Sequence, residues 1–284
     1  MNSSYLSVFV FIIVTIIYYT VLKPKITYEK LKNADMDQMS KYNSSSNSSL
    51  FIYMILVVIT QLFINIGYIV NMCGGSIASN ISAGVLITII PWIFIFGLMV
   101  SMLIIFPGFK SAFSNVIGYF CVAGTAGDAL LNLLVNPEVE NTMKQGNLNE
   151  DEKKKYRSIA DAIMKISGNN SIIINQIVPE NFLESLATLT PLMKPEHQTD
   201  NQEDTIDLKN KLLNSVILRD NIGEGLWYLT TGILVTSVIQ YNIAVRGCNK
   251  DLNSIIQNQA VFKKQEEKVN ELKDKASSVI YSLT

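Results

Sequence analysis

Three stretches of the chain carry no charged residue and are long enough to cross a bilayer: residues 5–22, 50–72 and 83–106, of 18, 23 and 24 residues. A helix needs about 20 mostly apolar residues to cross the ~30 Å hydrocarbon layer. Inside that layer every backbone N–H and C=O must be satisfied within the segment, which leaves helix as the form for such runs. The chain therefore reads as integral to a membrane, and its function has to be sought there. The first run lacks a basic n-region and a small-residue cleavage site, so it reads as an uncleaved anchor rather than a secretory signal.

The lysines orient these spans. None precedes the first, whereas Lys23, Lys25, Lys30 and Lys32 follow it at once. Basic residues near span ends stay cytosolic, so the N-terminus is expected on the non-cytosolic side and residues 23–49 in the cytosol. The uncharged connector CGGSIASNIS then lies outside, and Lys110 returns to the cytosolic face.

Two further segments are apolar but ambiguous. Residues 113–135 contain Asp128 as their only charge, and read either as a membrane helix or as one lying on the interface. Residues 225–245 hold no charge but six Thr, Ser, Gln and Asn side chains. Crossing there would carry Arg246, Lys250 and later lysines outside, so a buried central helix of a water-soluble domain is the expectation.

The expected fold class is all-α. A membrane module (1–135) precedes a helical cytosolic domain (136–284) with an apolar helix at 225–245 and a coiled-coil-like helix at 250–283. The net charge of −1 and the scattered lysines give no basic footprint for nucleic acid. Residues 149–168 carry an Asn149 cap, early acids and a closing Gly168, and so read as a helix. SIIINQIV, residues 171–178, is β-branched enough for a short strand. Residues 204–220 read as an amphipathic helix broken by Gly223 and Gly225. The serine-rich run SKYNSSSNSS reads as a flexible linker. In the last helix Phe262, Val269, Ala276 and Leu283 recur every seven residues with Leu272 and Val279 between them, a stripe suited to a partner helix.

Catalytic, cofactor and metal signatures are missing: no phosphate-binding glycine loop, no HExxH, no nucleophile elbow and no Cys/His pair. Cys73, Cys121 and Cys248 are far apart and read as reduced thiols, and His197 as a solvated loop residue. Gln61 and Asn65, one turn apart, are the strong polar pair of the second run. No enzyme and no cofactor is expected.

The run FPGFKSAFSNVIGYF, directly after the third span, resembles a motif of membrane-anchored minor capsid and inner-membrane proteins of nucleocytoplasmic large DNA viruses. The matching positions are Pro107, Gly108, Phe109, Lys110, Phe113, Ser114, Asn115, Gly118 and Tyr119, with Phe109 where that pattern has Trp. The resemblance implies a structural protein of the virion inner membrane that links bilayer to capsid shell. Its partners would be lipid and other capsid or membrane proteins, met through the C-terminal helices. The alternatives are a transporter or channel subunit using Asp128, Gln61 and Asn65, or a membrane scaffold without a virion role.

Overall fold

The computed structural model describes residues 3–34, 36–74, 76–134, 170–246 and 252–281; these are mostly helical, with one isolated bridge, Leu134 to Met193, and no strand among them. Among the described residues five helices are long and apolar enough to cross a membrane: Tyr5–Leu22, Ser40–Cys73, Asn80–Ile105, Pro107–Leu133 and Glu203–Val245.

In chain order, α1 is Ser3–Ile17, extended by a π-helical turn at Tyr18–Leu22, and α2 is the short Tyr28–Asn33. Thr27 caps α2 by accepting from the Lys30 N–H. Helix α3 is Met36–Cys73 and takes in the serine-rich run, so that run is helix and not linker. Gly74 ends it with φ of 72°, the left-handed conformation that glycine adopts without steric cost. Helix α4 runs from Ile77–Pro91 through a π-helical turn, Trp92–Gly97, into Leu98–Ile105. Pro91 has no N–H for the i−4 carbonyl, and the widened turn directly follows it.

Pro107 then opens a 3₁₀ turn, Pro107–Lys110, that leads into α5: Ser111–Phe113, a π-helical turn at Ser114–Gly118, and Tyr119–Leu133. Helices α6 (Asn170–Gln176) and α7 (Phe182–Leu189) follow; α6 takes in most of the β-branched run 171–178. Helix α8 is Glu203–Val245, 43 residues without interruption. Gly223 and Gly225 do not break it, which corrects the sequence reading. Helix α9, Leu252–Tyr281, is the C-terminal helix. The expected helix at 149–168 lies outside the described residues, as does Leu283.

Two hydrophobic cores organise these helices. The first is aromatic: Phe11, Tyr18, Tyr53, Trp92, Phe96 and Tyr228 gather with Val235, Ile239 and Ile243 from α1, α3, α4 and the C-terminal half of α8. Tyr18 and Tyr53 stack at 4.6 Å between ring centroids, and Phe11 meets Phe96 edge-on at 5.7 Å, geometries that aromatic quadrupoles favour. The second core is largely aliphatic. It joins Tyr28 and Leu31 to Val122, Leu130 and Leu133 of α5, Ile174, Phe182, and Leu208, Leu212 and Val216 of the N-terminal half of α8. Residues 225–245 thus pack among the apolar spans rather than inside a separate helical domain.

Around the aromatic core the helices turn large apolar side chains outward: Phe9, Phe51, Phe63, Phe94, Leu98, Leu234 and Tyr241 are all exposed. Apolar surface of this extent marks contact with a membrane or with another protein rather than with water.

Candidate functional site: a charged belt between two cores

Where the two cores meet, four charged side chains converge on α8. Asp220 and Glu224 lie one turn apart, so both carboxylates face the same side. Lys23, just past the end of α1, places Nζ 3.1 Å from Glu224 Oε1 and 3.3 Å from Oε2. Lys110, in the corner after α4, places Nζ 3.0 Å from Asp220 Oδ2 and 3.3 Å from Glu224 Oε2. The Tyr19 hydroxyl donates to Glu224 Oε1 at 3.0 Å, and Lys23 Nζ sits 5.1 Å from the centre of the Tyr19 ring. The Glu224 side chain is only 8% exposed. Two cations offset two anions, which is the condition for keeping charges out of water.

The backbone beside the belt is tightly interlocked. A Cβ on Gly223 would lie 2.6 Å from Ser114 Cβ and 2.8 Å from the Lys110 carbonyl oxygen, and one on Gly118 would lie 2.6 Å from the Arg219 carbonyl oxygen. Glycine at both positions lets α5 and α8 cross in contact. Trp227 Nε1 donates to the Phe109 carbonyl at 2.9 Å, and its ring meets Phe113 edge-on. Buried Arg219 donates from Nη1 to the Ile174 carbonyl and from Nη2 to the Ile177 carbonyl at 2.7 Å. It therefore satisfies carbonyls at the C-terminal end of α6, where a cation is favoured.

Much of the run 107–119 thus closes against α8. Ser114 and Gly118 are buried; Lys110, Phe113, Asn115 and Tyr119 are half-buried; Pro107, Gly108 and Phe109 stay exposed. Lys110 is consumed by the carboxylates of α8. Neither Ser114 nor Asn115 caps a helix, because 111–133 continues through them.

The other polar residues sort by core. In the aromatic core Gln61 Nε2 donates to the Ser7 carbonyl at 2.9 Å, and the Ser7 hydroxyl donates to Gln61 Oε1. Asn65 Nδ2 donates to Thr88 at 3.0 Å, while Gln240 Nε2 donates to Asn65 Oδ1 at 3.2 Å. Two amides on α3 therefore fasten it to α1, α4 and α8. Asp128 is not gathered with them: it is exposed on α5, whose buried residues belong to the aliphatic core.

In the aliphatic core Asp200 accepts from Lys209 Nζ at 2.6 Å and from the Tyr28 hydroxyl at 2.9 Å, and pairs with Lys32. Burial alone would raise its pKa, but the hydrogen bonds from Lys209, Lys32 and Tyr28 outweigh it and lower the carboxyl to about 2. Burial and the Asp200 carboxylate push the Tyr28 phenol up in turn. His197 is buried, not solvated, with Nδ1 2.8 Å from the Thr205 hydroxyl. Cys73 is disulfide-bonded, which overturns its reading as a thiol, whereas Cys121 is free and exposed.

Of the stripe on α9, Phe262, Val269 and Leu272 are exposed; the side chains of Ala276 and Val279 lie outside the description. Sequence reasoning named Lys23 and Lys110 only as topology markers and missed Asp220, Glu224 and Arg219. The available signal was an acid pair at i, i+4 directly before a long uncharged run.

No protein-family model, no curated protein and no solved structure matches the chain.

Proposed function

We propose that the protein is a structural transmembrane linker, holding a bilayer to a protein layer on the bilayer's cytosolic face. The observation that carries this reading is the continuity of α8, whose N-terminal half belongs to the aliphatic core and whose C-terminal half belongs to the aromatic core. The ion-paired belt clamps that helix where it passes from one to the other. A rigid post bolted at its waist transmits position and load. In the virion that the 107–119 resemblance implies, the bilayer is the inner membrane, the protein layer is the capsid shell and the chain is a minor capsid component.

The orientation follows from the two ends of the aromatic core. Lys23 and Lys110 mark one end as cytosolic. Cys73 closes the opposite end of α3 and is disulfide-bonded, a state that persists in oxidising compartments. The N-terminus then lies on the non-cytosolic side together with α9, which follows the far end of α8, and the aliphatic core faces the shell.

The test is the composition of purified particles. A linker of this kind is present in stoichiometric ratio to capsid units and stays with the membrane fraction after the shell is stripped. Its absence from particles, with the chain retained in cellular membranes, would instead favour a scaffold of host membranes.

A further inference from the structure

Helix α5 is long and apolar enough to cross a bilayer, yet its two halves present opposite surfaces. From Val122 onward its inward residues, Val122, Ala126, Leu130 and Leu133, join the aliphatic core. Before that, Ser114 and Gly118 pack on α8, and the other face is bare. Phe109 is 49% exposed, Val116 68%, Ile117 43% and Phe120 84%. These positions recur at i, i+7, i+8 and i+11, one stripe along a helix. Further along the same stripe come Gly124 and Asp128, both exposed. The bare face thus changes from aromatic to charged over the eight residues from Phe120 to Asp128, about 12 Å of helix.

The stripe begins where α4 leaves the aromatic core. Ile104, Ile105 and Phe106 are all exposed there and run without a break into Phe109. A shallow apolar groove along Ile105, Phe106, Phe109 and Ala112 continues the same surface. On the level of the belt, Trp227 holds the Phe109 carbonyl, and Trp is the side chain most at home where hydrocarbon meets head groups.

We infer that α5 does not cross the membrane but lies half-sunk in the leaflet next to the belt, its Phe109–Phe120 face against lipid and its Asp128 end in water. The occupant of the bare face is lipid because the surface is continuous with the lipid-facing side of α4. An aqueous face would not place Phe120 and Val116 in full exposure. Four helices then cross, α1, α3, α4 and the C-terminal half of α8, and both chain ends of α5 stay on the side of Lys23. This inference rests on the membrane reading of the aromatic core.

The test is power-saturation electron paramagnetic resonance on the full chain reconstituted in phosphatidylcholine vesicles. The background is Cys121→Ser, with single nitroxides at Val116→Cys, Phe120→Cys, Asp128→Cys and Phe63→Cys. Phe63, exposed on α3, reports the hydrocarbon interior. The expected ratio of oxygen to nickel-chelate collisions is highest at residue 63, intermediate at 116 and 120, and lowest at 128. Ratios at 116 and 120 as low as at 128 would overturn the inference, placing the stripe in water. Labels there shielded from both reagents would overturn it too, by revealing a protein cover. Ratios at 116 and 120 equal to that at 63 would mean that α5 crosses after all. A low ratio at residue 63 itself would instead sink the membrane reading.

Discussion

The aromatic and aliphatic cores use polar groups in opposite ways. In the aromatic core, polar contacts are neutral: amide to amide, amide to hydroxyl and amide to backbone, as in Gln61–Ser7 and Gln240–Asn65. Around the aliphatic core they include ion pairs, with Asp200 between Lys209 and Lys32. The difference follows the surroundings. An ion pair needs either water or a complete set of partners, while neutral side chains can pair cheaply in hydrocarbon. The belt lies between the two regimes and is both ionic and buried, so it is the place where substitution costs most.

Glu224→Gln tests this most severely. It strands Lys23 beside the Tyr19 ring and leaves Lys110 with Asp220 alone, and removing one partner of a buried pair costs about 3–5 kcal/mol. Thermal unfolding in detergent should show the two cores losing cooperativity, reported by aromatic near-ultraviolet dichroism for one and hydrogen exchange of residues 203–216 for the other. Unchanged unfolding would mean that the belt is solvated and carries no load.

Gly223→Val comes next. Its side chain has no room against Ser114 and the Lys110 carbonyl, and overpacking of this kind costs about 1–3 kcal/mol. The damage should fall on the α5–α8 crossing, seen as faster exchange in 111–120, while the Gln61–Ser7 contact stays protected.

The third prediction belongs to the aliphatic core. The Asp200 pKa is depressed in the fold, so the stability it supplies is complete above the unfolded carboxylate value and is lost as pH falls through about 2. The shift corresponds to about 2 kcal/mol. Acidification from pH 5 towards pH 2 should therefore loosen α2 and the start of α8 before the aromatic core. Asp200→Asn should flatten that dependence.

Smallest is Asn65→Leu. It frees Thr88 and Gln240 from their partner in a region where such hydrogen bonds average about 0.6 kcal/mol. A drop in melting temperature as large as that of Glu224→Gln would contradict the contrast between the cores.

Apolar run length made the first three spans legible in the sequence, because an uncharged stretch of that length has few other uses. Residues 225–245 were misassigned for a physical reason: six polar side chains look costly in lipid, but Gln240 is satisfied by Asn65 and the hydroxyls of Thr230 and Ser237 bond back to carbonyls of their own helix. Helix α8 also hid behind Gly223 and Gly225, which read as breakers until the close approach of α5 supplied a reason for Gly223. The serine run failed similarly, since weak local propensity yields to the helix that continues from it. His197 looked solvated because its neighbours are polar, and only the fold brings Thr205 to its ring. Of the belt only the acid pair Asp220 and Glu224 leaves a local signal, for its other members are scattered along the chain as far as Lys23.

The rigidity of α8 is most directly measured by pulsed electron–electron spin resonance between nitroxides at Leu218→Cys and Tyr241→Cys, both exposed, in lipid nanodiscs and a Cys121→Ser background. One continuous helix places these 23-residue-separated positions about 35 Å apart, in a single narrow distribution that does not change when the aliphatic core is loosened at low pH. A broad distribution, or one centred well below that distance, would mean that α8 bends or breaks at Gly223–Gly225 and that the two cores are not joined by a rigid post.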